Sequence, residues 1–150
     1  MANAITSSAQ LSTFSTIKSI LMTSTVLNTK FATGDYYEFE PNLKAGSFSG
    51  YPYIVINTPS LSNPDETFEG VSFKVNQIII ELVVEYSARS NFVTYANAII
   101  DVIESNESTL ESVGLYNTKI EFDDTSEEYV SQKQMVRGTF TLTHDGYVTR

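Results

Sequence analysis

VSFKVNQIIIELVVEYSARSNFVTYANAIIDVIES, residues Val71 to Ser105, runs a strand pattern directly into a helix pattern. In its first half alternate side chains face opposite sides of a sheet. Ile78, Ile80, Leu82, Val84 and Tyr86 therefore share one face, and Ile79, Glu81, Val83 and Glu85 share the other. The first face is wholly apolar and belongs to a core. The second mixes aliphatics with carboxylates and reads as half covered, or covered by another subunit. Upstream the parity reverses, because Phe73 and Val75 are odd-numbered with Lys74 and Asn76 between them. A bulge near Asn76 or Gln77 restores the register; the alternative is that Val71 to Asn76 is an extended arm whose apolar side packs on a neighbour.

In the second half the period becomes helical. Phe92, Tyr95, Ala96, Ile99, Val102 and Ile103 define a buried stripe, with Asn91, Thr94, Asn97, Asp101 and Glu104 opposite. Ser87 or Ser90 is placed to supply the N-cap oxygen. So short a connection folds helix back on strand, setting Phe92 and Ile99 over Ile80 and Leu82.

The flanking sequence supplies the remaining elements. Leu11, Phe14, Ile17, Ile20, Leu21 and Leu27 predict a first helix over Ala9 to Leu27, whose Ser/Thr-rich exposed face has weak helix propensity and relies on packing. Phe31 to Glu40, with Tyr37 and Phe39 alternating with Glu38 and Glu40, and Tyr51 to Asn57 (YPYIVIN) read as a hairpin with a long Gly/Ser-rich loop. Thr58 to Gly70 is a first candidate functional loop. After an acidic connector, Asn106 to Gly114, that holds one further turn with Leu110 and Val113 facing in, Tyr116 to Phe122 and Met135 to His144 read as a second hairpin. The segment Asp123 to Gln134 between them is a second candidate loop, and Asp145 and Gly146 turn the chain into a tail. The expected fold is α+β: a mainly antiparallel sheet of four to five strands, two helices on one face, and long inter-strand loops. Residues 1–8 are expected to form a flexible arm, 9–146 one domain, and 147–150 a C-terminal tail.

Composition bounds the function. A chain of 150 residues with 41% hydrophobic residues suffices for one core. It contains no cysteine, which excludes disulfides and thiolate metal sites and fits a protein made in a reducing cytosol. The net charge of −9, from nine Lys plus Arg against eighteen Asp plus Glu, argues against gripping nucleic acid, where basic residues must displace condensed counterions. It does not argue against DNA passing nearby. No basic n-region or long apolar run is present, so no membrane segment is expected.

Site chemistry is sparse. The one histidine, His144, reads as a surface residue at a turn, with no sequence-local serine elbow to pair with it. Glu38/Glu40, Asp65/Glu66, Asp123/Asp124 and Glu127/Glu128 lie in loops or on wet strand faces, not in the apolar cleft that acid/base catalysis needs. Asp123, Asp124 and Glu127 lack EF-hand spacing, which leaves an ion there an open question. No catalytic residue, cofactor or metal is expected. Nine of the eighteen acidic residues fall between Asp101 and Glu128, accompanied only by Lys119, and form an acidic surface serving solubility or a basic partner.

Taken together, an N-terminal helix, a hairpin ending in an apolar strand, a long strand breaking at Tyr86-Ser87-Ala88-Arg89-Ser90 into a helix, and a final hairpin resembles the tail terminator and head-tail joining proteins of long-tailed bacterial and archaeal viruses. The resemblance covers most of residues 9–146 and rests on a pattern of elements. It implies a non-enzymatic virion protein, assembled in the host cytoplasm, forming a hexameric ring that caps the tail tube and docks to the head connector. DNA passes through its lumen without specific binding, and no membrane is involved. Phe68, Val71, Phe73, Val75, Ile79, Val83, Tyr129 and Val130 are then the expected subunit or partner interface. Asp123, Asp124, Glu127 and Glu128 are the expected acidic patch facing lumen or partner. The two-sided apolar character of Tyr53 to Ile56 fits cover by another chain. The competing expectation is a small-ligand-binding or enzymatic domain with a pocket between sheet and helices lined by Tyr51, Tyr86, Tyr95 and His144; another neck or tube component is a third.

Overall fold

The computed structural model describes residues 7–43, 48, 50–57, 71–130 and 133–149, with the backbone alone at 7–12, 71–76, 130 and 146–149. The fold is α+β, with an open five-stranded mixed sheet. Helices α1 (Ser7–Met22) and α2 (Thr25–Asn28) precede the short strand β1 (Tyr36–Tyr37). Strands β2 (Tyr53–Asn57) and β3 (Val71–Glu85) follow, then helices α3 (Phe92–Glu104) and α4 (Glu107–Glu111). Strands β4 (Tyr116–Val130) and β5 (Lys133–Thr149) close the chain. The sheet order is β1-β2-β3-β5-β4, antiparallel throughout except β1 with β2.

The β3–α3 unit forms the centre of the molecule. Ile78, Ile80, Leu82 and Val84 are buried, as are Phe92, Tyr95, Ala96, Ile99 and Ile103, and all join one cluster with Ile17, Ile20, Leu21, Phe140 and Leu142. Val102 is half-buried at the edge of the stripe. Tyr86 leaves the strand face, because residues Tyr86–Asn91 form a 3₁₀ turn that leads into α3. Neither Ser87 nor Ser90 caps the helix: Asn91 holds the N-cap position without a side-chain hydrogen bond, since the preceding turn already carries the chain into helical geometry.

No bulge interrupts β3. It pairs with β5 in one register from Val71 opposite Thr149 to Glu85 opposite Met135. The reversed parity of Phe73 and Val75 therefore stands, and their positions share the second face with Ile79, Glu81 and Val83 by register. The bulges lie in β4 instead, between Tyr116 and Lys119 and between Phe122 and Asp124. The first is accommodated at Asn117, whose φ of 52° suits asparagine's tolerance of left-handed backbone, and whose Nδ2 donates to Asp145 Oδ2 at 2.7 Å.

Three further expectations change. The first helix breaks at Thr23–Ser24, where Ser24 Oγ accepts from Leu27 N and starts α2, and α1 already begins at Ser7 within the expected arm. β1 and β2 are parallel instead of a hairpin; the intervening chain brings Leu43, Phe48 and Tyr51 against the sheet instead of turning straight back. The Asp123–Gln134 segment is strand as far as Val130, and β5 runs to Thr149, so neither a long loop nor a turn at Asp145–Gly146 exists. The connector does hold α4, with Leu110 fully buried, and Gly114 ends it at φ +89°.

One glycine sets the strand–helix spacing. A Cβ added at Gly138 would collide with Phe92 Cζ and lie 2.8 Å from Phe92 Cε2 and 3.2 Å from Phe122 Cε1. Gly138→Ala is expected to cost about 1–3 kcal/mol through overpacking. Phe92→Leu combined with it should cost less than the sum of the two single changes. Urea unfolding midpoints of the four proteins check this, and additive effects would contradict it.

Candidate functional site

The most structured polar constellation lies on the sheet face away from the helices. Register builds it. Arg137 stands opposite Val83 on one side and Ser126 on the other, so Glu81 and Glu128 are its diagonal neighbours across the two adjacent strands. Glu40, just after β1, reaches it from outside the sheet. Arg137 Nε donates to Glu128 at 2.9 and 3.1 Å. Its Nη1 donates to Glu81 Oε2 at 2.6 Å and Glu40 Oε2 at 3.0 Å, and its Nη2 to Glu40 Oε1 at 2.9 Å. Tyr53 adds a hydroxyl that donates to Glu40 Oε1 at 2.7 Å. The planar guanidinium fork is what allows one side chain to serve three carboxylates.

The electrostatics follow from this geometry. Burial works against the charge on Arg137, but the hydrogen bonds to Glu40, Glu128 and Glu81 outweigh it and hold the guanidinium charged more firmly than usual. Burial also pushes the Glu40 carboxyl upward, yet the hydrogen bonds from Arg137 and Tyr53 and the charge of Arg137 bring it net below its ordinary 4.5. Tyr53 is raised by burial and then by its bond to Glu40. Carboxylates committed to a guanidinium in this way are poor proton shuttles. Their effect is to fasten the segment after β1 over the second apolar cluster, Tyr53, Val55, Val83 and Met135, against which Tyr37, Leu43, Phe48 and Tyr51 pack.

Of the expected interface residues, Val71, Phe73, Val75, Ile79 and Val83 fall on one face of β3 by register, while Tyr129 and Val130 lie at the end of β4. Phe68 lies outside the described residues. Val71, Phe73 and Val75 occupy β3 positions on the second face by register, on the same face as half-buried Ile79. Val83 is fully buried by the chain's own cluster, and Tyr53 to Ile56 are buried on both sides, so neither needs a neighbouring subunit to cover it. Tyr129 is 70% exposed, and Val130 ends β4 beside it. Of the four acidic residues, Asp124 and Glu128 stand opposite Thr139 and Met135 on the second face, whereas Glu127 stands opposite Val136 on the other. Glu128 is held by Arg137, Asp123 accepts from Thr141 Oγ1, Asp124 Oδ1 accepts from the Thr125 amide, and Glu127 accepts from Gln134 Nε2. Among the described residues no group of three or more His, Asp or Glu side chains could hold a metal ion. Among them, too, no helix is long and apolar enough to cross a membrane.

The competing pocket is dismembered. Phe92, Ile99, Ile80 and Leu82 fill the space between sheet and helices. His144 is not at a turn but buried within β5, about 30 Å along the strand from Met135, which pairs with Glu85 beside Tyr86. Its Nδ1 has no partner among the described residues, and burial pulls its pKa below 6.5 against the opposing effect of Asp145. Tyr51 and Tyr95, however, do meet at a surface cleft. No protein-family model matches the chain, and no curated protein is significantly similar to it in sequence.

The sequence puts Glu40 on a wet strand face but gives no sign that Arg137 would meet it there. The signal at Arg137 itself was a lone arginine on the strand face opposite Phe140 and Leu142, in a chain with twice as many acidic as basic residues. Arg137→Gln is expected to destabilise the fold by about 1–3 kcal/mol, since it leaves three carboxylates facing one another, with Arg137→Lys intermediate. Both titrating groups have folded-state pKa values below their unfolded ones. Their contributions are therefore present at high pH and fall away as protons bind first to the unfolded chain. Stability should decline as pH drops below about 6.5 through His144, and again below about 4.5 through Glu40. In urea titrations His144→Leu should flatten the first limb only, and Glu40→Gln should reduce the second.

Proposed function

We propose that the chain is a ring-forming structural protein of a virion, terminating a tail tube and joining it to the head connector. The observation that carries this reading is the ribbon formed by β3 and β5 beyond the core. Val71 to Lys74 pair with Thr149 to Gly146, past the last residues paired with β2 and β4 among the described residues. Four residue pairs span about 13 Å. An isolated two-stranded ribbon is marginal in water, so a ribbon of this kind gains its order from a surface it packs against. The positions of Val71, Phe73 and Tyr147 share one face of it by register, with Thr149 opposite Val71 and the Val75–Asp145 pair next along the strands, a mainly apolar face suited to a neighbouring copy.

The charge balance supports a conduit. A net charge of −9 gives passing DNA little to adhere to, because retention would require clustered lysine and arginine to release counterions. Arg137, the most deeply placed cation of the second face, is neutralised by three carboxylates of its own chain.

Mass photometry and negative-stain imaging of the purified chain, alone and with isolated tail tubes, test the reading. The expected result is a closed ring of about six copies, formed in solution or on the tube end, that Phe73→Asp abolishes while the monomer's thermal melt is retained. A chain that stays monomeric and associates with neither tube nor connector would sink it.

A further inference from the structure

Where the end of β3 meets α3, a surface cleft of about 240 Å³ is lined by Tyr51, Pro52, Val84, Glu85, Ala88 and Tyr95. We propose that this cleft is a binding site for an arginine side chain of a partner protein. The inference does not depend on ring formation.

Size, lining and charge each narrow the guest. Sites for drug-sized ligands begin at roughly 300 Å³, so this volume suits a single side chain better than a cofactor. Half-buried Pro52 and Ala88 offer apolar surface for methylene groups, and half-buried Tyr51 offers a ring, which attracts cations, while Val84 and Tyr95 form the buried wall. Glu85 is the one charged group in the lining and selects a positive head group. A neutral guest would gain nothing from that carboxylate, and an anionic one would be repelled by it.

Glu85 already holds a cation on its other side, in the neighbouring cleft that it lines with Tyr86, Ser87, Lys133 and Gln134. Lys133, at the start of β5, places Nζ 3.2 Å from Glu85 Oε1 and 5.8 Å from the Tyr51 ring centroid. Among the described residues the carboxylate's other hydrogen bond is a 3.4 Å one from Ser87 Oγ to Oε2. The Lys133 and Glu85 side chains are 59% and 36% exposed, and an ion pair of that kind contributes at most about 1 kcal/mol, so an incoming guanidinium can displace it. Guanidinium is preferred to ammonium because it is planar, weakly hydrated and able to engage a carboxylate through two N–H groups. On the neighbouring turn the chain uses the same pairing, with the Arg89 guanidinium 4.1 Å from the Tyr86 ring centroid. The net charge of −9 draws a basic partner toward the surface.

A ¹H–¹⁵N NMR titration of the full chain with the blocked peptide acetyl-Gly-Arg-Gly-amide tests this, with the citrulline peptide as an isosteric neutral control. Saturable shifts are expected at the amides of Val84, Glu85, Ala88 and Tyr95 with the arginine peptide only. Lys133→Ala, which removes the internal competitor, should tighten binding about two- to fivefold, and Glu85→Gln should weaken it about three- to tenfold. Thermal melts of both surface variants check that the fold is retained. Equal binding of the citrulline peptide, absence of saturable shifts at these amides, or weaker binding by Lys133→Ala would each overturn the proposal.

Discussion

The antiparallel pairing of β3 with β5 is the constraint on which the rest depends. Its single register, unbroken from Val71/Thr149 to Glu85/Met135, assigns every side chain of the two central strands to a face. Even-numbered residues, Ile78 to Val84 and Val136 to Leu142, turn toward the helices; odd-numbered ones, including Glu81, Val83 and Arg137, turn away. A slip of one residue would exchange Leu82 and Phe140 for Glu81 and Thr139, placing a carboxylate beneath α3. Burial of the helix-side cluster therefore selects the register, and the register in turn sets Arg137 diagonally between Glu81 and Glu128.

The second face is finished by the chain itself on one side and left polar on the other. Near β1 and β2, aromatic residues from the segment after β1 cover Val55, Val83 and Met135. Tyr37, Phe48, Tyr51 and Tyr53 meet with ring centroids 5.4–6.4 Å apart. Toward β4, half-buried Thr139, Thr141 and Thr143 continue the same face, with no apolar cluster over them among the described residues. Arg137 stands at the boundary between the two regions. Its three carboxylates come from β3, β4 and the segment after β1, so one guanidinium ties the covering segment to the sheet. Directional bonds of this sort specify geometry more than they add stability.

The sequence disclosed most where local period and burial agreed. The change from alternation to helical spacing between Glu85 and Phe92 places β3 and α3, and Leu110 marks α4. It disclosed least where a residue's surroundings come from distant chain. Nothing in the local pattern shows that Val83, flanked by Val84 and Leu82, would be covered by residues from the segment after β1; the burial of His144, by contrast, follows the alternation of Phe140 and Leu142 once the strand runs on past Asp145. Nor does the local pattern show that Glu40 and Arg137, 97 positions apart, would meet. The Asp123–Gln134 segment misled because its acidic and polar residues resemble loop composition, whereas an edge strand can carry charge on both faces once a bulge has shifted its parity.

Native-state hydrogen exchange across the central strands tests the governing role of this register most directly. The amides of Ile80, Leu82, Phe140 and Leu142 are predicted to exchange only through global unfolding, with one free energy matching that from denaturant titration. Exchange of the β5 amides at a markedly lower free energy than those of β3 would show the two strands opening independently, and would contradict it.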